Sequence, residues 1–415
     1  MKEKLFHKDF TLVVIGQIIS LFGNAILRFA LPLYLLRETG SAALFGVVSA
    51  CSFLPMIVLS FLGGILADRV NKRNIMVCLD FATALLILVL YGVLGKVPIV
   101  PLFLLVLMLL YGISGAYQPT VQASIPALVA QDQILSAGAV VNQIGSLAGL
   151  LGPTIGGILF GAFGIRPILV ISVLCFLASA IMEVFIHIPY ERRPADMGVL
   201  AIIRSDFHES ARYLRREKPV LLKIMGIIAL FNLVLTAMLI VGMPVLIVDT
   251  LQLSDELLGF TQGALALGGL CGGVITAVLG KKLKLQSACQ LLLLCAFGVG
   301  VMAAPLVAGA ASLVSYAVLT AAGFVIMGLC TMFSVQMLAT VQTETPPALV
   351  GKVIALMIAI SLCAQPIGQA LYGVIFDLFP GNTGEILLVV ALLALVISLA
   401  SRKIFDRVVT APQPT

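Results

Sequence analysis

The stretch GGILADRVNKR, residues 63–73, joins the end of an apolar run to a cluster of cations. The run before it covers residues 43–67, which is long enough for a helix to cross a bilayer. A related stretch, GGVITAVLGKK, occupies residues 272–282 and repeats the paired glycines and the later cations at the same spacing. The sequence therefore predicts an internal repeat, each copy of which closes a membrane span.

The composition identifies the solvent around the rest of the chain. Hydrophobic residues make up 61% of the 415 residues and charged residues 11%, and the mean hydropathy is +1.16. A soluble domain carries roughly a quarter charged residues, so this chain lacks the polar groups to cover itself in water. We expect an all-α integral membrane protein and not a soluble enzyme.

Twelve apolar runs are each long enough to form a membrane span of ~20 residues. The first set covers residues 10–36, 43–67, 75–95, 99–119, 138–161 and 167–188. The second set covers residues 220–248, 257–280, 287–308, 312–338, 353–376 and 384–401. The predicted organisation is a six-helix bundle over 1–188, a cytoplasmic linker over 189–219 and a second six-helix bundle over 220–415.

Basic residues predict the orientation. If the N-terminus is cytoplasmic, the outer loops hold only Arg37, Lys96 and Arg166, while the other loop cations lie inside. Both termini are then cytoplasmic, and the net charge of +6 follows from this asymmetry and not from a nucleic-acid partner. Within the linker, residues 199–217 predict an amphipathic helix on the inner leaflet, with a solvated linker as the alternative.

Acidic and basic residues around the first glycine pair predict a gate. A carboxylate next to cations at the membrane edge can form a charge-assisted network that exists in one global state and breaks in the other. Plain positive-inside charge is the alternative, but it does not require an acid. The predicted gating motif consists of Gly64, Asp68, Arg69, Lys72, Arg73 and Asp80.

The pattern G-x-L-A-D-R-x-x-K-R of residues 64–73 resembles the loop motif of the major facilitator superfamily. The repeat and the twelve spans fit that resemblance, which implies two pseudo-symmetric six-helix bundles that transport a solute by alternating access. Stretches such as GQIISL at 16–21, ETGSA at 38–42 and PIG at 366–368 resemble the macrolide-efflux branch of drug exporters. The resemblance implies a proton-coupled exporter of amphipathic small molecules in the bacterial cytoplasmic (inner) membrane.

Two other functions stay open at this point. The chain could import or flip a lipid-like or siderophore-like solute, or it could be a transport-inactive sensor on the same fold. The expected partners are a small-molecule substrate, protons and membrane lipids, in a monomer. No cofactor or metal is expected, since there is no phosphate loop or catalytic triad and the eight cysteines form no C-x-x-C pair.

The fifth span contains a motif that resembles one carried there by proton-driven exporters. Its residues, Gly152, Pro153, Gly156 and Gly157, also suit close helix packing, which is the alternative explanation. The fourth span departs from many drug antiporters, because residues 106–120 include no arginine. That departure weighs against a simple transfer of their proton-coupling scheme.

Polar residues inside spans are costly and are therefore candidates for function. Gln17, Ser20, Asn24 and Arg28 share one face of the first span, so Arg28 either faces a cavity or extends to the headgroups. The remaining cavity candidates, for which a helix–helix hydrogen bond is the alternative, are Asn232, Gln336, Gln365 and Gln369. Asp80 and Glu183 are the candidates for carrying a coupled proton.

Overall fold

The computed structural model describes residues 5–188, 209–279, 287–346 and 349–410. Within these ranges the side chains of residues 61–62, 64–69, 135, 403 and 406–410 are not described. The described part of the chain is helical and contains no strand. The expected all-α fold is therefore confirmed.

Twelve helices in the described ranges are long and apolar enough to cross a membrane, as predicted. The first six are α1 Lys8–Thr39, α2 Ala42–Arg69, α3 Lys72–Val93, α4 Ile99–Leu128, α5 Ile134–Phe163 and α6 Ile165–Val184. The second six are α7 Pro219–Thr250, α8 Asp255–Leu279, α9 Ser287–Val307, α10 Ser312–Glu344, α11 Val350–Leu378 and α12 Thr383–Thr410.

Short turns connect neighbouring helices of the first six, and their residues explain where the helices stop. Gly40 ends α1 with a φ of 60°, a left-handed conformation in which a side chain would be strained, and its N–H bonds to the Leu36 carbonyl. Asn71 starts α3, where its side chain accepts a hydrogen bond from the Arg73 N–H at 3.0 Å. The glycine and the asparagine thus supply the helix-end signals that the apolar runs lack.

Contacts divide the chain into two compact units. The first unit comprises Met1–Asp196 with Ser254–Gly263, and the second comprises Met197–Leu253 with Ala264–Thr415. Relative to the domains expected from the sequence, the first turns of α8 group with the first unit, and most of the linker groups with the second.

Glycines of the repeat bring a helix pair to backbone contact within each unit. In the first unit, a methyl group placed on Gly63 of α2 would lie 2.6 Å from the Ala116 Cα of α4. In the second unit, a methyl group on Gly272 of α8 would lie 2.8 Å from the Gly328 Cα of α10. Gly63 and Gly272 are equivalent positions in the two copies of the sequence repeat, so the repeat preserves a packing contact as well as a charge pattern.

The described end of the linker packs on the second unit. Residues 209–216 are helical, whereas residues 189–208 of the linker, which include the first ten residues of the expected amphipathic helix, lie outside the described ranges. Lys218 pairs with Glu344 at 2.8 Å, and Lys352 pairs with Glu209 at 2.7 Å. Partial burial raises the pKa of Tyr213, whose hydroxyl donates to the Glu344 carbonyl at 3.3 Å. This part of the linker is therefore held by protein contacts as well as by any lipid surface.

Candidate functional site

Two carboxyl groups are buried inside the first unit. Asp80 of α3 is 2% exposed and Glu183 of α6 is 0% exposed. The Ser20 hydroxyl of α1 donates to Asp80 Oδ1 at 3.0 Å, and the Tyr117 hydroxyl of α4 donates to Glu183 Oε1 at 2.5 Å. Four helices thus contribute to one polar site, which brings together the two residues predicted to carry a proton.

A glycine leaves room for this site between α1 and α6. The Ser179 hydroxyl of α6 donates to the Gly16 carbonyl of α1 at 3.2 Å. A methyl group placed on Gly16 would lie 3.4 Å from Ser179 Oγ and 3.7 Å from Glu183 Cγ. Both distances are ordinary van der Waals contacts, so α1 lies directly against α6 at this position. We call the group formed by Gln17, Ser20, Asp80, Tyr117, Ser179 and Glu183 the acid cluster.

Part of the hydrogen-bonding capacity of the acid cluster is unused. Asp80 Oδ2, Glu183 Oε2 and both amide atoms of Gln17 are buried and have no hydrogen-bond partner among the described residues. Neither carboxyl group forms an ion pair with a described lysine or arginine. Buried polar atoms without partners cost free energy, and an unpaired buried charge costs much more. The acid cluster therefore suits a small positively charged ligand.

An apolar layer covers the acid cluster on the side that holds the N-terminus of α1. It lies one to two helical turns before the polar residues, because Val13 and Met76 precede Gln17 and Asp80 by four positions each and Phe10 precedes Gln17 by seven. The residues of this layer include Phe10, Val13, Met76, Val121 and Ile125. The first four are 0% exposed, so the layer is a fully buried apolar part of the first unit.

The predicted gating motif is only partly visible. Gly64, Asp68 and Arg69 belong to the stretch whose side chains are not described. Beyond it, Arg73 Nη1 donates to the Val184 carbonyl at 3.4 Å, which links the start of α3 to the end of α6. Asp80 was grouped with this motif from sequence, and the structure places it in the acid cluster, about two helical turns further along α3.

Arg28 lies against an aromatic side chain of a neighbouring helix. Its guanidinium carbon is 3.7 Å from the ring centroid of Tyr111 on α4, and the Phe53 ring of α2 meets Tyr111 edge-on at 5.3 Å. Asn24, one turn earlier on α1, has a buried Oδ1 without a described partner. Of the four residues on the predicted polar face of α1, Gln17 and Ser20 thus join the acid cluster, and Asn24 and Arg28 form a second polar region.

The polar candidates of the second unit are uncharged. Asn232 opens a π-helical stretch of α7, where its Oδ1 accepts from the Thr236 hydroxyl at 3.1 Å. On α11, Gln369 is 0% exposed with both amide atoms unpartnered among the described residues, and Tyr372 donates to the Val234 carbonyl at 2.8 Å. Of the other two candidates, Gln336 is buried and Gln365 is half-buried.

The glycines of the predicted packing motif in α5 make close contacts inside the first unit. Gly152 faces Ala25 of α1, and a methyl group on Gly156 would lie 3.1 Å from the Phe29 ring. A methyl group on Gly157 would lie 2.7 Å from the Gly259 Cα of α8, and the carbonyl of Gly259 accepts a hydrogen bond from Thr154 at 3.2 Å. These contacts agree with close helix packing, which is the alternative explanation of the motif.

The family model of the Major Facilitator Superfamily matches residues 13–369, which include both copies of the repeat and the acid cluster. The chain belongs to the major facilitator superfamily. It is a multi-pass membrane transporter of this family, and the resemblance seen in residues 64–73 is confirmed.

Relatives of this major facilitator chain include efflux proteins. The chain is 27% identical to macrolide efflux protein A of Streptococcus pyogenes over 381 residues, 87% of this chain and 88% of the relative. It is 23% identical to the multidrug efflux pump Tap of Mycolicibacterium fortuitum, over 88% of each chain. It is 24% identical to the enterobactin exporter EntS of Shigella boydii, over 88% of this chain and 85% of the relative. The similarity to the macrolide-efflux branch is thus confirmed.

Solved structures support the fold. The nucleoside transporter NupG superposes with a TM-score of 0.74 at 13% identity, over 95% of this chain and all of NupG. A bacterial homologue of the iron transporter ferroportin, in an inward-facing state, superposes with a TM-score of 0.72 at 18% identity, over 99% of this chain and all of the homologue. At these identities the agreement concerns the architecture of the family and not a substrate.

Sequence reasoning did not identify four residues of the two polar regions. Ser20 lies on the polar face of α1 and was noted there, but not as a ligand of Asp80. Ser179 and the two tyrosines, Tyr111 and Tyr117, were missed. A tyrosine in the middle of a span is a usable signal, because tyrosines of membrane helices are enriched at the interfaces.

Proposed function

We propose that the protein is a secondary active exporter of amphipathic small molecules that exchanges its substrate for protons by alternating access. Membership of the major facilitator superfamily and the efflux relatives support the direction of transport. We place it in the bacterial cytoplasmic (inner) membrane with both termini inside, on the basis of its loop cations. It acts as a monomer.

The observation that carries proton coupling is the acid cluster. Asp80 and Glu183 are buried, and each accepts a hydrogen bond from a hydroxyl group. No described cation neutralises them. A carboxyl group that gains a proton loses its charge without needing a larger cavity. Protons therefore relieve the free-energy cost that this arrangement imposes on ionised carboxylates.

Proton binding can drive transport only if the two global states bind protons with different affinity. The hydroxyl donors of Ser20 and Tyr117 stabilise an ionised carboxylate, whereas burial under the apolar layer opposes it. A conformational change that opens the layer or separates α1 from α6 would alter this balance. Proton release on one side and uptake on the other would then bias the cycle toward export.

The test is substrate export by purified protein in proteoliposomes under an imposed pH gradient. We expect export to stop when a protonophore collapses the gradient and to continue without ATP. The Asp80→Asn, Glu183→Gln double variant should keep substrate binding and lose the dependence on the gradient. Glu385→Gln is the matched control, since Glu385 is an exposed carboxyl group of the second unit.

The same assay separates the other functions. Accumulation of the solute against the export direction would indicate an importer or flippase, and substrate binding without movement would indicate a sensor. If the double variant retains full dependence on the gradient, the acid cluster does not carry the coupled proton.

A further inference from the structure

The guanidinium of Arg28 has a cation–π partner and lacks an anionic one. No described residue forms a hydrogen bond or an ion pair with it, and its recorded contact is the Tyr111 ring at 3.7 Å. Arginine stays protonated in proteins and carries five N–H donors in one plane. The side chain therefore presents a permanent positive charge whose hydrogen-bonding capacity is unused by the described protein.

The position of Arg28 within the span makes a guanidinium without an anionic partner costly. Arg28 lies in the middle part of α1, more than two helical turns from either end, and it is half-buried. An arginine at this depth is stable when it meets water, an anion or an aromatic face. The aromatic face is present, and the N–H groups at the edge of the guanidinium plane are left for a ligand.

The neighbours of Arg28 define the shape of that ligand. Tyr111 is 8% exposed and lies against the guanidinium, and the half-buried Phe53 ring meets Tyr111 edge-on with an interplanar angle of 63°. The unpartnered Oδ1 of Asn24 adds a polar atom one turn away on the same helix face. Flat aromatic groups pack well on such rings, while a carboxylate matches the planar fork of an arginine.

We propose that Asn24, Phe53, Tyr111 and Arg28 form a subsite for an aromatic amphiphile that carries a carboxylate. The inference rests on the proposed export function and specifies its substrate class. The carboxylate bonds to the Arg28 guanidinium, and the aromatic part packs against the half-buried Phe53 ring, while Tyr111 holds the guanidinium in place. A cationic amphiphile of the same shape is repelled by Arg28, because the charge lies in a low-dielectric setting.

Binding can be measured without transport, because the chain contains no tryptophan. Leu54→Trp adds the chain's single tryptophan next to Phe53, at a side chain that is 58% exposed and therefore tolerates a larger group. Energy transfer from this tryptophan to pyrenebutyrate, in nanodiscs, reports binding of the anionic probe. A pyrene amphiphile with a trimethylammonium head and the neutral pyrenebutanol are the matched probes.

We expect pyrenebutyrate to bind at least tenfold more tightly than the trimethylammonium probe. On the same background, Arg28→Gln should weaken pyrenebutyrate by roughly tenfold or more, as for the loss of a charge-assisted bond, and should strengthen the cationic probe. Arg28→Lys should give an intermediate result, since it keeps the charge and loses the planar fork. Arg166→Gln, at an exposed arginine near the start of α6, is the control for net charge.

An unchanged ratio of anionic to cationic affinity in Arg28→Gln would overturn the subsite. Arg28 would then be a membrane anchor, and its replacement should lower insertion or expression and leave selectivity as it was. Export of pyrenebutanol by the same preparations keeps the two proposals apart. Export with an unchanged ratio contradicts the subsite alone, whereas the expected ratio without any export contradicts the exporter alone.

Discussion

The two units share a fold and differ in what they bury. The first unit encloses two carboxyl groups in the acid cluster and an arginine on an aromatic ring. In the described part of the second unit, the buried polar side chains are uncharged, with Gln336 and Gln369 as the largest of them. The same contrast holds in the sequence repeat, where Ala277 stands at the position of Asp68.

Under the proposed exchange of substrate for protons, this difference gives the halves of a pseudo-symmetric protein separate tasks. The glycine contacts between α2 and α4 and between α8 and α10 are retained in both units, so the packing scheme does not depend on the charges. In a proton-coupled transporter the electrostatic energy has to differ between the two states, and buried charged groups are the ones that can provide this difference. The first unit thus carries the candidates for energy coupling, and the second unit supplies a neutral partner.

The largest effect that would test this contrast comes from Asp68. We expect Asp68→Asn to insert and fold normally, and to lower export by roughly tenfold or more, because a state-dependent charge network loses its acid. Export by proteoliposomes, normalised to protein content, measures the loss. Adding Ala277→Asp should not restore it. Normal export by Asp68→Asn, or rescue by the second change, would contradict the division of tasks between the units.

An intermediate effect is expected from the two buried tyrosines. Tyr117→Phe removes the hydroxyl that donates to Glu183, so the pH at which export is half-maximal should shift and the rate should fall several-fold. Tyr372→Phe removes a bond to a backbone carbonyl, and it should cost about 1 kcal/mol of stability without moving the pH profile. Export across a pH series and thermal unfolding in detergent distinguish the two. Equal pH shifts in both variants would remove the contrast.

The smallest effects are expected from the ion pairs. Arg37 bonds to Asp255 Oδ1 through Nε at 3.0 Å and Nη2 at 2.9 Å, and the Asp255 side chain is 14% exposed. Lys352 pairs with Glu209, whose side chain is 53% exposed. We expect Arg37→Gln to destabilise by about 1 kcal/mol and Lys352→Met by ~0–0.5 kcal/mol in thermal unfolding. A larger loss from Lys352→Met would show that the linker contacts hold the second unit together.

Hydropathy was sufficient to predict the twelve helices, and the motif of residues 64–73 was sufficient to predict the family. The boundaries were less accurate where helices continue beyond the apolar run. The fourth span was expected over 99–119, and α4 continues to Leu128, while the tenth was expected over 312–338, and α10 continues to Glu344. In both cases the helix continues through a segment that contains polar residues. It can do so because its backbone hydrogen bonds lie within the helix and form in water as well as in lipid.

The acid cluster was beyond sequence reasoning as an assembly. Asp80 and Glu183 were recognised one by one as costly residues, but their proximity depends on how α3 and α6 are rotated against each other. The bond between Tyr117 and Glu183 joins residues 66 positions apart in the chain. A single sequence provides the periodicity of each helix, and it provides no measure of the rotation between helices. The same reason explains why Tyr111 was not identified as the partner of Arg28.

The glycine contacts within each unit also impose an order on biogenesis. Helix α2 packs its Gly63 on α4 and not on its immediate successor, and α8 packs its Gly272 on α10. Roughly 55 residues separate the partners. At a synthesis rate of about 5–20 residues per second, each earlier helix is therefore without its packing partner for roughly 3–11 seconds. During that interval its glycine face lies against lipid or an insertion factor, where close packing is absent. Each unit therefore passes through a stage in which three of its helices are made and this glycine contact is still missing.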